Sequence, residues 1–154
     1  MLNAILLTLL AGIAGACAMS AVMYGIHAIG AANADMVRAL GSIVTRKYEG
    51  SFGPGLVIHA ISGAMFAFPY SVVLGIVPAS GAGPIAGIGA LMGFFHGFVV
   101  SFLLIAMVAE SHPVEQFRRT GISVAVAHIF GHIVYGAVVG LLVAVLHISL
   151  IASA

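Results

Sequence analysis

The sequence predicts an all-α fold: a four-helix transmembrane bundle with a short interfacial helix between its first two spans. Of the 154 residues, 62% are hydrophobic and 6% are charged, and the mean hydropathy is +1.24. A water-soluble globule needs a surface rich in charged side chains, which this chain lacks. The chain is therefore expected in a lipid bilayer, and its length allows one integral membrane domain over 1–154.

Four apolar segments are the predicted spans, at about 2–30, 55–78, 84–109 and 121–151. Each is close to the roughly 20 residues that an α-helix needs to cross the hydrocarbon core. The second and third segments are joined by a short uncharged turn at 79–83. That turn predicts that these two helices are antiparallel neighbours.

The charged side chains are confined to the two other connections. The first connection contains Asp35, Arg38, Arg46, Lys47 and Glu49, and the second contains Glu110, Glu115, Arg118 and Arg119. All five basic residues of the chain are among them. Cytoplasmic loops carry the excess of Lys and Arg in membrane proteins, so both charged loops are expected in the cytoplasm and both termini outside.

The first loop is long enough to contain structure of its own. Asn33 is a candidate helix N-cap, and Met36, Val37, Leu40 and Val44 form an apolar stripe at helical spacing. This pattern predicts a short amphipathic helix that lies on the cytoplasmic interface.

Small residues predict how the spans pack. Gly89, Gly93 and Gly97 form a ridge on the third span, and Gly136 and Gly140 repeat the spacing on the fourth. Such ridges let two helix backbones approach closely in lipid, where burial of apolar surface gives no driving force. We therefore assign these glycines to helix packing.

The two halves of the chain show a weak similarity that is compatible with a duplicated hairpin. His59 in the second span matches His128 in the fourth, and Phe66 then falls opposite Tyr135. A hairpin repeated in parallel orientation would explain the even number of spans.

Histidines are concentrated in the half of the membrane nearest the charged loops. At about 1.5 Å per helical residue, His27, His59 and His128 lie roughly 5–10 Å from that end of their spans, and His96 and His132 about 16–20 Å. His112 lies in the second loop, and His147 alone belongs to the outer half. Ionisable groups at membrane depth tend to face the bundle interior, where they mark functional sites.

Imidazole and thioether groups together predict a transition-metal site, with copper favoured because methionine prefers Cu(I). His128 and His132 stand at i and i+4, as do Met19 and Met23, so each pair shares one helix face. The candidate metal ligands are His59, His96, His128, His132, Met19 and Met23. We expect His59, His128 and His132 to converge on one interior face.

Two alternatives to a metal site stay open. His96 and His132, at similar depth on facing spans, are the candidate axial ligands of a haem b bound in the bundle. In the other alternative no cofactor is bound, and each buried ring hydrogen-bonds a carbonyl or hydroxyl of a neighbouring helix.

Several functions find no support in the sequence. A net charge of +1 argues against a nucleic-acid partner. The chain contains none of the P-loop, GxSxG or HExxH patterns, and its predicted spans contain no Asp or Glu. Catalysis by this chain alone is therefore not expected. The rival function is a structural accessory subunit of a larger membrane enzyme complex, of respiratory or monooxygenase type, packed against other subunits or against copies of itself.

The sequence also resembles a known family. The residues that carry the resemblance are Met19-Ser20 with Met23-Tyr24, Asp35, Leu40-Gly41-Ser42, His59 with Gly63, His112-Pro113, and the closing HxxGHxxYGxxxG from His128 to Gly140. In these the chain resembles a family of small four-pass prokaryotic membrane proteins, a domain of unknown function. The resemblance implies a four-helix fold in a prokaryotic plasma membrane and carries no activity. It places Asp35, His59, His112, His128, His132 and Tyr135 in one pattern, compatible with a site or with a packing core.

Overall fold

The computed structural model of the chain describes residues 2–104, 106, 110–118 and 121–150, and their regular structure is helical. The helices are α1 (Leu2–Ala28), α2 (Met36–Thr45), α3 (Phe52–Ile76), α4 (Ala82–Leu103) and α5 (Ile122–Val145), with one 3-10 turn at Glu115–Phe117. The all-α prediction is confirmed. The predicted span ends at 109 and 151, and the predicted loop residue Arg119, lie outside the described residues.

Four helices, α1, α3, α4 and α5, are long and apolar enough to cross a membrane, which confirms the predicted number of spans. The first is shorter than expected. It ends at Ala28 because Gly30 adopts a left-handed conformation with φ of 72°, while the N–H groups of Gly30 and Ala31 bond to the carbonyls of His27 and Ile26. This is the usual way in which a glycine terminates a helix.

Small residues determine which helices touch. In α1, a methyl group added to Gly12 would lie 2.7 Å from Cα of Ala64 and would also meet the carbonyl of Gly63 on α3. Between α4 and α5, a methyl group on Gly89 would meet the carbonyl of Gly136. The predicted glycine ridges are therefore the seam of the α4–α5 pair, and a second seam joins α1 to α3. Between the two pairs, α1 packs on α5.

The helices α3 and α4 are much less closely packed than their short connection predicts. Their contact runs through side chains near His96, which reaches Phe66 and Tyr70 of α3, whereas the glycine ridge of α4 is turned to α5. A tight turn brings only the ends of two helices together. Along the rest of its length, α4 packs closely on α5, because its glycines allow the two helix backbones to touch.

The short helix between the first two spans is also confirmed as α2, but its N-cap differs from the prediction. Asp35 caps the helix and accepts a hydrogen bond from the N–H of Arg38. Asn33, the predicted cap, instead donates its side-chain amide to the carbonyl of Gln116, at 3.0 Å. Aspartate directly before the first helical residue satisfies the free N–H groups there, which leaves Asn33 available to the second loop.

One side of α2 packs on the start of α3. Met36 and Val37 are buried, and Gly41 approaches the backbone of Ser51 and Gly55 so closely that a methyl group could not fit. Val44, the last member of the predicted stripe, is 67% exposed. The buried face of α2 is therefore centred on Met36, Val37 and Gly41, and Val44 points away from the bundle.

The two charged loops meet at one end of the bundle. The ring of His112 is buried; it donates from Nε2 to the carbonyl of Ala39 in α2 at 3.1 Å and accepts the N–H of Val114 at Nδ1. In the first loop, the hydroxyl of Tyr48 donates to Asp35 at 2.9 Å. This hydrogen bond, with burial and the nearby carboxylate charge, raises the pKa of Tyr48 above its ordinary value.

The predicted duplication stays a prediction. Both hairpins pack through small residues, but the matched histidines differ in their partners. His59 bonds to the carbonyl of Ala16 on α1, whereas His128 bonds to the carbonyl of Val124 within its own helix.

We expect Gly93→Ala to destabilise the bundle, because the added methyl group would meet the carbonyl of His132 and lie 3.0 Å from Cα of Ile133. Overpacking of this kind costs about 1–3 kcal/mol. Gly87→Ala is the matched control in the same helix, since nothing lies within 4 Å of its added methyl group. It should be neutral or stabilising by up to about 1 kcal/mol. Thermal unfolding in detergent, followed by circular dichroism, measures both; equal effects would contradict the assigned seam.

Candidate functional site

A half-open cavity of about 180 Å³ lies between the helices, where α3 and α4 separate. Side chains from all four long helices line it, and Met36 and Leu40 of α2 cover it at the loop end. Its polar and sulfur-containing walls include His59, His96, His128, His132, Met19 and Tyr135. Four of the predicted ligand histidines are therefore brought to one cavity in an otherwise apolar setting.

His96 and His132 form the closest histidine pair in the cavity. Their ring centroids are 4.5 Å apart and the rings are tilted by 46°. Gly97 makes this approach possible, because the backbone of α4 there lies against Cβ of His132. On its other side, His96 contacts the ring of Phe66 at 4.5 Å and lies 3.3 Å, through Nδ1, from the hydroxyl of Tyr70.

His59 and His128 are each held by a backbone carbonyl. Nε2 of His59 donates to Ala16 on α1 at 3.2 Å, and Nδ1 of His128 donates to Val124 at 3.1 Å. Because a carbonyl only accepts, these bonds fix which ring nitrogen carries the proton. In the neutral ring of His128, Nε2 then presents a lone pair. A histidine oriented in this way is prepared to bind a metal.

Three imidazole nitrogens of the cavity are buried without a hydrogen-bond partner among the described residues: Nε2 of His96, Nε2 of His128 and Nδ1 of His132. Ser20, His27 and Ser71 also have a buried unpartnered atom, but these residues do not line this cavity. A polar atom left unpaired away from water costs about 1–3 kcal/mol. The cavity therefore has unused hydrogen-bonding or ligating capacity on three rings.

Tyrosines connect the cavity to the helix packing. Tyr135 donates its hydroxyl to the carbonyl of Gly63 on α3, at 2.6 Å, and packs edge-on against Tyr70 with ring centroids 5.4 Å apart. Tyr70 is a residue of this cluster that the sequence predictions missed. Its spacing was the available signal, since His59, Phe66 and Tyr70 share one face of α3 at offsets of i+7 and i+11.

The predicted methionine ligands are separated. Met19 lines the histidine cavity. Met23, one turn further along α1, packs on Gly131 and lines a different cavity of about 280 Å³ between α1, α2 and α3. His27 lies in that second cavity, so neither Met23 nor His27 joins the candidate site.

His59, His128 and His132, which are expected to converge, line the same cavity but do not meet at one point. Within the described part of the chain, no three His, Cys, Asp or Glu side chains are grouped so as to hold a metal ion. The carbonyl bonds of His59 and His128 occupy one nitrogen of each ring, and the positions of the helix backbones keep these rings from meeting His132 at one point. The pair that remains close is His96 and His132.

Haem b does not fit the pair as placed. Two axial imidazoles bonded to one iron at about 2 Å each, with the macrocycle between them, would hold their ring centroids about 6 Å apart. The centroids of His96 and His132 are 4.5 Å apart, and the other side of His96 is occupied by Phe66. A haem would require α4 to move away from α5, against the glycine seam.

No protein-family model, no curated protein and no solved structure matches the chain. The resemblance to a four-pass prokaryotic family accordingly stays a prediction. What the fold and the cavity define is a class: a helical membrane protein with four helices able to span a bilayer and a histidine-lined cavity between them.

Tyr135→Phe is expected to destabilise the bundle by about 1 kcal/mol, because the hydrogen bond that joins α5 to the carbonyl of Gly63 on α3 would be lost. Tyr24→Phe serves as the control, since Tyr24 is 72% exposed. Unfolding of both variants in the same detergent would check this. A Tyr135→Phe variant as stable as the control would show that the bond contributes little.

Proposed function

We propose that the protein binds a transition-metal ion inside the membrane, with Cu(I) favoured, between His96 and His132. The thioether of Met19 is the candidate third ligand. His128, which also lies on the cavity wall, is an additional candidate ligand. The observation that carries the proposal is the set of buried nitrogens without partners on His96, His128 and His132.

The donor set favours a soft, singly charged ion. Imidazole and thioether are neutral ligands, and the predicted spans supply no carboxylate that could balance a second charge. The free-energy cost of desolvating an uncompensated ion in an apolar interior is high, and this cost rises steeply with the charge of the ion. Thioether ligands select Cu(I). Zinc, by contrast, almost always takes four protein ligands in closed structural sites.

The rings of His96 and His132 must separate slightly to hold one ion between them. An ion bonded to both rings at about 2 Å in a trigonal or linear site holds the ring centroids about 5.5–6 Å apart. The centroids are 4.5 Å apart, so binding requires the two rings to move apart by about 1 Å or more. Met19 lines the same cavity, beside Gly131 and one residue from His132 in α5.

The test is anaerobic titration of the purified protein with Cu(I) against a chromogenic chelator. We expect one ion per chain, and an affinity lowered by at least about tenfold in His96→Ala and His132→Ala. His147→Asn is the matched control, because His147 is exposed and outside the cavity, and asparagine tolerates its positive φ of 50°. Less than about a tenth of an ion per chain in the unaltered protein would refute the proposal.

A second candidate function is that of a non-catalytic accessory subunit packed against another membrane protein. The observation in its favour is the outward face of α4, where four aromatic rings are exposed although the opposite face is packed: Phe94, Phe95, Phe98 and Phe102. Such a face suits helix–helix contact as well as lipid. Migration as a single 15.6 kDa chain after gentle solubilisation would argue against it.

We further propose that the end of the bundle where the charged loops meet faces the cytoplasm, in agreement with the distribution of Lys and Arg. In a Cys17→Ser background, Glu49→Cys and Ser80→Cys place single thiols at exposed positions at opposite ends of α3. A membrane-impermeant maleimide applied to whole cells should label Ser80→Cys only. Labelling of Glu49→Cys alone would reverse the orientation.

A further inference from the structure

We propose that the ion reaches the histidine cavity from the end of the bundle where the loops meet, through a passage beneath α2 that is gated by Leu40. This inference rests on the proposed function, and it adds the route and the gating residue. It is drawn from a second, smaller cavity that the metal proposal does not use.

The smaller cavity, of about 60 Å³, lies between the two loops and the bundle. It shares four wall residues with the histidine cavity, namely Met36, Leu40, Leu104 and His128. Two cavities with common walls adjoin each other, and among the described residues Met36, Leu40 and Leu104 are the apolar side chains at their boundary. A change of rotamer in these side chains is the smallest movement that would join the two cavities.

From the loop end inward, the polar groups that line the two cavities change from carboxylate and amide to imidazole, which binds a soft metal ion more strongly. Asp35 and Asn33 line the outer part of the smaller cavity. His128 lies at the junction, with its Nε2 unpartnered among the described residues. His96 and His132 follow in the deeper cavity. Asp35 is paired with Arg38 at 3.7 Å and accepts the hydroxyl of Tyr48 at 2.9 Å, so it supplies an oxygen at the mouth and little net charge. An imidazole at the junction can replace water as the ion is dehydrated.

Leu40 is the residue best placed to act as the gate. It is half-buried and lines both cavities. The backbone of α2 beside it is fixed, because His112 donates to the carbonyl of Ala39 at 3.1 Å. Met36 is buried and Leu104 belongs to α4's C-terminal end. The side chain of Leu40 can therefore move while the helix that carries it stays attached to the second loop.

The competing route runs sideways from the lipid, between α3 and α4. Phe66, which is 46% exposed, and Val100 stand on that side of the histidine cavity. A cation using that route would first have to enter hydrocarbon, where the desolvation of a charge is strongly unfavourable even after relaxation. The lateral opening therefore suits an apolar ligand, and the loop end suits an ion.

The route can be tested without relying on the histidine site. Ser62→Cys in a Cys17→Ser background places a thiol in the histidine cavity beyond Leu40, because Ser62 lines that cavity and not the smaller one. A thiolate binds Ag(I) strongly whether or not the histidines hold a metal. The rate of Ag(I) binding is followed by stopped-flow through the ultraviolet absorbance of the silver–thiolate bond. Failure of the Cu(I) titration in the unaltered protein would thus refute the proposed function and leave this measurement intact.

In that background, Leu40→Trp should slow Ag(I) binding by at least about tenfold, and Leu40→Ala should accelerate it. Val44→Trp is the matched control, since Val44 is on the same helix and lines neither cavity. Val44→Trp and Phe66→Trp should stay within about twofold of the parent rate. An unchanged rate in Leu40→Trp, or a greater slowing in Phe66→Trp, would overturn the proposed route.

Discussion

Contact between glycine backbones is the constraint on which the rest of this structure depends. Inside a bilayer, helices gain nothing from burying apolar surface against each other, so close van der Waals approach decides which of them pair. Gly89 and Gly93 commit α4 to α5, and Gly12 and Gly63 commit α1 to α3. Because the glycine face of α3 packs on α1 and that of α4 packs on α5, α3 and α4 contact each other through larger side chains. The cavity occupies the space that remains between them.

The histidines owe their positions to the same packing. Gly97 brings His132 against α4, which sets the 4.5 Å separation of the His96 and His132 rings. The close contact of α1 with α3 brings the carbonyl of Ala16 within reach of His59. Polar side chains in a low-dielectric interior must find partners. Some of these rings hydrogen-bond to backbone carbonyls. The buried ring nitrogens without a partner among the described residues are the atoms available to bind a ligand in the cavity.

Much of the fold could be predicted from the sequence, because its physical causes are local. The lengths of the apolar segments predict the four spans, and the spacing of the glycines predicts the close packing of α4 on α5. The depth of His96 and His132 follows from counting residues along a helix. What could not be predicted depends on contacts between distant parts of the chain. The bond of Asn33 to Gln116 joins two loops 83 residues apart, and His59 reaches the carbonyl of Ala16, 43 residues away on α1.

The most direct test of the metal proposal is the X-ray absorption spectrum of the unaltered protein loaded with one Cu(I) per chain. We expect a low-coordinate copper ion with the multiple-scattering signature of imidazole and one sulfur neighbour. Met19→Leu should remove the sulfur and leave the imidazoles. A spectrum without imidazole scattering, or a sulfur neighbour that persists in Met19→Leu, would contradict the assignment of the ion to His96, His132 and Met19.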